Sequence, residues 1–260
     1  MLTPYQADRY SRQVLCEHIG EEVQAGICGG HVAVVGIGAV GSASVNMLAR
    51  AGVGTLTLVD HDRVEFNNLQ RQTLYDEADA EAGALKAEAS AQRLAEINSS
   101  VKLRPVAQRL TAENAEEILG EADVILDGAD NFEARYIIND VACKRGIPYI
   151  YAAVLGGFGV TMSILPGETA CLQCLFPEPP APGTTDTAAT RGILASIVNI
   201  MASLQVVEAL KILGGKREEV CRGLFQFDCW DRTACVLEVH KLPDCPSCGR
   251  GEYLFLGSGK

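Results

Sequence analysis

The chain has 260 residues, 48% of them hydrophobic, and a formal net charge of −11. This length and hydrophobic content suit one α/β domain with smaller additions better than two complete domains. The negative charge argues against nucleic acid or an anionic membrane as a principal partner, because phosphate binding draws on clustered Lys and Arg.

The beginning of the chain and its apolar runs indicate neither secretion nor a membrane span. The first residues lack the apolar segment that follows a charged one in a secretory signal. The apolar runs are interrupted well before the roughly 20 residues that span a bilayer. We therefore expect a cytoplasmic protein with no membrane partner. In that reducing compartment, paired thiols among the ten cysteines are more often metal ligands or catalytic groups than disulfides.

Residues 1–30 are predicted to form a helical lead-in, since apolar residues recur there at helical spacing and the segment ends in two glycines. The nucleotide-binding half is expected to cover 31–153. It opens with a buried strand from Val32, a helix over 39–51 and a second strand over 55–59. These three elements make a parallel βαβ unit.

The turn between this strand and helix carries the spacing G-x-G-x-x-G, formed by Gly36, Gly38 and Gly41. The first glycine makes the tight turn, the second lets backbone approach phosphate, and the third lets the helix pack close to the strand. Free N–H groups at the helix start then face the phosphates. Asp60 follows Gly41 by 19 residues, where a carboxylate can accept hydrogen bonds from ribose hydroxyls. The pattern predicts a nucleotide site and, taken alone, is typical of NAD.

Helices and strands alternate through the rest of this half. The polar segment 61–83 follows a strand tip closely and is expected to reach the nucleotide. Helices are predicted over 84–98, 114–119 and 132–145, and strands over 101–105, 124–127 and 148–153. The alternation predicts a doubly wound, Rossmann-like α/β fold with a mostly parallel sheet.

The pattern changes over 154–260. Alternating segments predict antiparallel strands over 156–164, 223–230 and 234–241, with a long apolar helix over 192–213. We expect this strand-rich half to continue the sheet of the first half and to end in a metal-stapled C-terminal part.

Two C-x-x-C pairs, Cys171/Cys174 and Cys245/Cys248, supply four thiolates. Two such pairs predict a closed, structural, tetrahedral zinc site that clips the C-terminus to the second half. One pair alone would leave redox chemistry open, but the second pair favours metal. The other cysteines are expected to be buried, inert thiols: Cys16, Cys28, Cys143, Cys221, Cys229 and Cys235.

Several motifs together resemble the MoeB/ThiF/HesA family, the bacterial relatives of ubiquitin-activating enzymes, over nearly the whole chain. They are Arg9-Tyr-Ser-Arg12-Gln13, the glycine turn, Leu58-Val-Asp60-His-Asp62, Asn68-Leu-Gln-Arg71-Gln72, Lys86, Asp127-Gly-Ala-Asp130-Asn131 and both cysteine pairs. Such enzymes use ATP to convert the C-terminal glycine carboxylate of a small ubiquitin-like sulfur carrier into an acyl-adenylate, with release of pyrophosphate. The resemblance therefore implies ATP instead of NAD, a carrier ending in Gly-Gly, and a homodimer.

The resemblance also implies catalytic roles for Arg71, Lys86, Asp130 and Arg12. A carboxylate and a triphosphate repel each other, so cations must be concentrated where they meet. Arg71 and Lys86 would bind the phosphates, Asp130 would bind Mg²⁺, and Arg12 is similar to an arginine that the family contributes across its dimer. The implied nucleotide-binding set is Gly36, Gly38, Ala39, Gly41, Asp60, Asp62, Asn67, Asn68, Gln70, Arg71, Lys86, Asp130 and Asn131.

One feature departs from part of the family. Many relatives carry a cysteine in the crossover segment ahead of the long helix, whereas residues 184–192 contain none. We expect the activity to end at the adenylate, with a separate sulfur donor attacking it. Gly157 and Gly159 are expected to let the extended carrier tail approach the sheet. The alternatives are activation of a different carboxylate, an NAD-dependent oxidoreductase, and a non-catalytic zinc-stapled binding module.

Overall fold

The computed structural model describes residues 1–181, 184 and 186–257. Within these residues, eight strands form one sheet: β1 (His31–Val35), β2 (Thr55–Val59), β3 (Lys102–Val106), β4 (Val124–Asp127), β5 (Tyr149–Leu155), β6 (Phe158–Ile164), β7 (Leu224–Asp228) and β8 (Thr233–Leu237). Their order is β3-β2-β1-β4-β5-β6-β7-β8. Neighbours from β3 to β5 pair in parallel, and those from β5 to β8 pair antiparallel. The predicted fold class is confirmed.

The described α-helices are α1 (Pro4–Arg9), α2 (Ser11–Val14), α3 (Gly20–Gly29), α4 (Ala39–Ala51), α5 (Glu77–Glu81), α6 (Lys86–Ile97), α7 (Ala115–Leu119), α8 (Phe132–Arg145), α9 (Leu172–Leu175), α10 (Ala188–Arg191) and α11 (Ala195–Leu213). Short 3-10 helices cover Phe66–Asn68, Arg217–Glu219 and Leu254–Leu256, and Pro246–Arg250 forms a π-helical turn.

Two helices begin later than their sequence patterns predict, for the same physical reason. The prediction of a helix from residue 84 is wrong at its start, because Leu85 is extended and forms a β-bridge with Arg63. The long helix predicted from residue 192 begins at Ala195, because Ile193 forms a bridge with Gly156. In both places a tertiary pairing takes up the backbone groups that a first helical turn would use.

Two hydrophobic layers enclose the parallel part of the sheet. In β1, Val32 and Val34 belong to one layer and Ala33 and Val35 to the other. The first layer contains residues of α3, α4, α6 and α11, and the second contains residues of α7 and α8 together with both cysteine pairs. A strand buried on both faces explains the uninterrupted apolar run that marks β1 in the sequence.

By length and composition alone, α11 could span a membrane, and no other described helix meets that test. Its contacts with α4, β5 and β6 place it in the core instead. A Cβ added to Gly159 would lie 2.5 Å from Cγ of Met201 on this helix. Gly159 therefore allows close packing of α11 on the sheet, and the interpretation that it makes room for a carrier tail is wrong.

Candidate active site

The glycine turn has the close backbone contacts that its spacing predicts. Gly36 has a φ of +84°, and a Cβ added to Gly41 would lie 1.8 Å from the carbonyl oxygen of Gly36. Gly38 caps α4, and no side chain of the described residues accepts a hydrogen bond from the first turn of that helix. The unshared N–H groups and the positive end of the helix dipole suit an anionic group.

Asp60 holds this turn through backbone hydrogen bonds. Its Oδ2 accepts a hydrogen bond of 2.7 Å from the N–H of Ile37, and its Oδ1 accepts one of 2.8 Å from the N–H of Asp62. Burial raises the pKa of Asp60, although these N–H groups and Lys86 act in the opposite direction. Asp60 thus fixes the conformation of the loop. Its remaining lone pairs could accept hydrogen bonds from ribose hydroxyls.

Lys86 lies beside this acidic pair as the first residue of α6. Its backbone N–H donates to the carbonyl oxygen of Asp62 at 2.9 Å, and its Nζ donates to Oδ2 of the same residue at 3.2 Å. The Lys86 side chain is only 8% exposed. A buried ammonium is costly unless it is paired, so Asp62 keeps a positive charge close to the glycine turn.

The segment after β2 carries the next predicted residues. Arg71 donates from Nη1 to the carbonyl oxygen of Asn67 at 2.9 Å, while buried Asn68 donates to Oδ1 of Asn67 at 2.5 Å. Gln70 is exposed. Gln72 closes the motif over 68–72 but was left out of the predicted nucleotide-binding set. It is 4% exposed and has an Oε1 with no hydrogen-bond partner among the described residues. Its Nε2 would lie 3.8 Å from a Cβ added to Gly38.

The loop after β4 presents Asp130 above a buried ion pair that the sequence motifs did not reveal. Asp127 is fully buried, and its Oδ2 accepts hydrogen bonds from Nε of Arg135 at 3.1 Å and from the Tyr149 hydroxyl at 2.9 Å. Asp130 itself is exposed, and its Oδ1 accepts a hydrogen bond from Asn131. Asn131 also caps α8 by accepting from the N–H of Ala134. The sequence did contain a signal for this ion pair, namely an Asp at the end of a buried strand and an Arg early in the next helix.

These parts meet at the carboxyl ends of the strands, because β2, β1 and β4 are adjacent and parallel. Their carboxyl ends form the switch point where open α/β sheets bind ligands. The structure thereby brings the glycine turn, Asp60, Asp62 and Lys86 together, and the loop of Asp130 adjoins them through Gly128. Free N–H groups, a paired cation, an exposed carboxylate and the orphaned Gln72 oxygen fit a nucleoside triphosphate with a divalent cation.

Arg12 lies elsewhere. The neighbouring Gln13 donates from Nε2 to the carbonyl oxygen of Ala51, and Tyr10 packs against Gly52. Ala51 is the last residue of α4, and a helix of 13 residues is about 20 Å long. The exposed Arg12 side chain therefore lies near the end of α4 that is opposite to the glycine turn of its own chain.

The four predicted metal ligands come together. The Sγ atom of Cys171 lies 4.0 Å from that of Cys174 and 3.5 Å from that of Cys245, and the Sγ atoms of Cys174 and Cys248 are 3.4 Å apart. Tetrahedral zinc with bonds of about 2.3 Å requires sulfur separations of about 3.8 Å. The cluster therefore fits a four-thiolate zinc ion.

Two of the remaining cysteines do not follow the sequence expectation. Cys16 and Cys235 are exposed, so the prediction that they are buried is wrong, while Cys28, Cys143, Cys221 and Cys229 are partly buried. Cys235 is exposed because β8 is an edge strand whose five residues all face solvent. It lies four strands from β4, which is about 19 Å at the usual strand spacing.

Comparison with known proteins identifies a family for the chain. A model of the ThiF family matches residues 10–248. The chain belongs to the ThiF family.

Curated relatives of this ThiF-family chain include two bacterial proteins and one archaeal protein. It is 43% identical over 251 residues to the sulfur carrier protein ThiS adenylyltransferase of Bacillus subtilis, covering 95% of the chain and 73% of the relative. It is 37% identical to the SAMP-activating enzyme E1 of Haloferax volcanii, covering 95% and 90%. It is also 37% identical to the sulfur carrier protein adenylyltransferase of Thermus thermophilus, covering 95% and 92%. The family resemblance inferred from the motifs is confirmed.

Among solved structures, the crystal structure of Escherichia coli MccB with ATP matches with a TM-score of 0.81 at 24% identity, covering 96% of this chain and 76% of that one. At this identity the match supports the ThiF-type fold and says nothing further about this chain's substrate.

Replacing Asp60 with Asn tests the loop-organising role. The amide can accept only one of the two backbone hydrogen bonds, and its NH₂ group then faces an N–H donor. We expect the dissociation constant for ATP, measured by calorimetry, to rise about ten- to a hundredfold. Asp228→Asn is the control for the same carboxylate-to-amide change elsewhere in the sheet, because Asp228 also accepts two backbone N–H groups, from Trp230 and Asp231, both at Oδ1 at the end of β7. Equal losses of ATP affinity in both variants would contradict the assignment.

Proposed function

We propose that this ThiF-family protein is an ATP-dependent adenylyltransferase that activates the C-terminal glycine carboxylate of a small ubiquitin-like sulfur carrier. One observation carries the proposal. At the carboxyl ends of β2, β1 and β4, a free helix N-terminus lies together with Asp60, Lys86 and the Asp130 loop. Relatives named as sulfur-carrier adenylyltransferases support it. Hydride transfer to NAD needs neither a buried lysine nor an exposed carboxylate there, so the oxidoreductase alternative is not favoured.

The reaction joins a carboxylate oxygen to the α-phosphorus of ATP and breaks the bond to pyrophosphate. Both reactants are anionic, so the protein must hold them in line and offset their repulsion. In the proposal, the N–H groups of the glycine turn and Lys86 hold the phosphates, and Arg71 clamps them. Mg²⁺ held by Asp130 would neutralise part of the triphosphate charge.

Exchange of labelled pyrophosphate into ATP tests this function directly. We expect exchange that depends on a small protein ending in Gly-Gly, and we expect Asp130→Ala to lower its rate at least a hundredfold without changing the unfolding temperature. Asp8→Ala, which removes an exposed carboxylate from α1, should exchange normally. Absence of exchange with every carrier encoded near this gene, combined with tight NADH binding, would reject the proposal.

We also propose that the enzyme works as a homodimer in which Arg12 serves the partner's site. The length of α4, about 20 Å, separates Arg12 from the glycine turn of its own chain. Val207 on α11 is an exposed apolar side chain, at 49% exposure. A second copy of the chain could cover this apolar surface. Arg12 would then add a third cation to those of Arg71 and Lys86.

Mixing two inactive variants tests the sharing of Arg12. A dimer of one Arg12→Ala chain and one Asp130→Ala chain would contain one site with both residues intact. Random pairing makes half of the dimers mixed, so exchange should recover to about one quarter of the wild-type rate. Mixing Asp130→Ala with the double variant is the control and should stay inactive. No recovery in dimers shown to have exchanged subunits would mean that Arg12 does not act across the interface.

We propose that Cys171, Cys174, Cys245 and Cys248 hold one structural zinc ion. Metal analysis should find about one zinc per chain. Cys248→Ser should lose the metal and lower the unfolding temperature, whereas Cys235→Ser, on the edge strand, should change neither. A Cys248→Ser variant that keeps full zinc content and stability would rule out the site.

The sulfur donor is proposed to be a separate molecule. No cysteine lies between Cys174 and Cys221 in the sequence. The exposed Cys235 lies four strands away from β4, whose carboxyl end carries the Asp130 loop. An acyl-adenylate formed above β1 and β4 is thus far from the exposed thiol of Cys235. The adenylate would be the product that this chain passes on.

A further inference from the structure

Tyr75 makes a set of buried contacts beneath the glycine turn. The residue is 8% exposed and its ring belongs to the first hydrophobic layer. Its hydroxyl donates to the carbonyl oxygen of Ile37 at 2.7 Å, and it lies 3.0 Å from Oγ of Ser90. A phenol has one proton to donate, so Ser90 is the donor in the second bond. Burial raises the pKa of Tyr75 well above its usual value, which keeps the hydroxyl a donor at neutral pH.

The Ile37 contact determines where the next amide points. The peptide between Ile37 and Gly38 is planar and trans, so its carbonyl and its N–H project in opposite directions. With the carbonyl held by Tyr75 on the buried side, the Gly38 N–H faces the opposite side of the loop. Among the described hydrogen bonds, none has this N–H as donor. It is free to bind a phosphate oxygen.

The other side of Ile37 is held as well. Its N–H donates to Oδ2 of Asp60, so the two polar backbone groups of the residue between the first two glycines are held from two different segments. A turn built on glycine has more accessible conformations than any other. Fixing both groups removes that freedom before the nucleotide arrives.

Ser90 extends this arrangement to α6. It follows Lys86 by four residues, one helical turn, and is fully buried. The Tyr75 hydroxyl also lies 3.3 Å from the carbonyl oxygen of Lys86. One phenol thus connects the loop that offers the Gly38 amide with the helix that begins at the Lys86 cation.

We propose that Tyr75 is a positioning residue of the phosphate cradle, which orients the Gly38 amide and fixes its spacing from Lys86. The proposal rests on the function proposed above and adds to it a residue outside the motifs that define the family resemblance. Tyr75 does not touch the nucleotide. It acts through the glycine turn, so its loss should weaken triphosphate binding more than it slows turnover at saturating ATP.

Tyr75→Phe removes only the hydroxyl and tests this role. We expect the dissociation constant for Mg-ATP, measured by calorimetry without carrier, to rise about tenfold, with the KM for ATP rising in parallel and kcat changing less than about threefold. Ser90→Ala, which removes the other partner of the phenol, should raise the dissociation constant about two- to fivefold. It also tests the proposal if Tyr75→Phe does not fold.

Tyr10→Phe is the matched control. Tyr10 is also buried, and its hydroxyl accepts a hydrogen bond of 2.9 Å from Nδ2 of Asn98 at the far end of α4. It should lower the unfolding temperature to a similar degree and leave ATP affinity within about twofold of wild type. Unchanged ATP affinity in Tyr75→Phe, or an equal loss in Tyr10→Phe, overturns the proposal. If the wild-type protein itself binds no ATP, the proposed function fails instead, and that result is distinct from both.

Discussion

Two loops meet backbone to backbone at the switch point of the sheet, and the active-site geometry depends on that contact. The carbonyl oxygen of Gly36 lies so close to Gly41 and Gly128 that a Cβ on either would approach it to 1.8 or 2.1 Å. No side chain fits there. The turn after β1 can therefore touch both its own helix and the loop after β4, which brings the Asp60 carboxylate and the Asp130 loop to one place.

A buried ion pair supports this contact from below. Arg135 donates from Nε to Asp127 and from Nη2 to the carbonyl oxygen of Ala129, while the N–H of Ala129 donates back to Asp127. Both polar backbone groups of the residue before Asp130 are therefore held. Removing one partner of such a pair would cost about 3–5 kcal/mol, since it leaves a buried charge unpaired. The pair restricts the loop where Asp130 must be presented.

Local signals in the sequence were sufficient for much of the site. The glycine spacing, Asp60 and both cysteine pairs were predictable because each depends on neighbours in the chain or on a single βα turn. Tyr75 was not, since its partner Ile37 is 38 residues away and nothing in the polar segment 61–83 indicates which carbonyl a phenol will reach. The place of Arg12 was equally out of reach, because helical spacing does not show at which end of α4 the lead-in docks. The exposure of Cys235 follows from the strand order, with β8 at the edge, which residue types alone do not reveal.

Helix α8 connects the cysteine cluster with the nucleotide site at the carboxyl ends of the parallel strands. The N-cap of α8, Asn131, adjoins Asp130. At the middle of the helix, the buried Asn139 contacts one residue inside each C-x-x-C segment. Its Oδ1 accepts from the N–H of Leu172, and its Nδ2 donates to Oγ of Ser247. Zinc bound by the thiolates would close a loop of 74 residues between Cys171 and Cys245, which restricts the unfolded chain. Asn139 also ties the middle of this 14-residue helix to both cysteine segments, so a zinc ion that orders those segments would also steady the helix start beside Asp130.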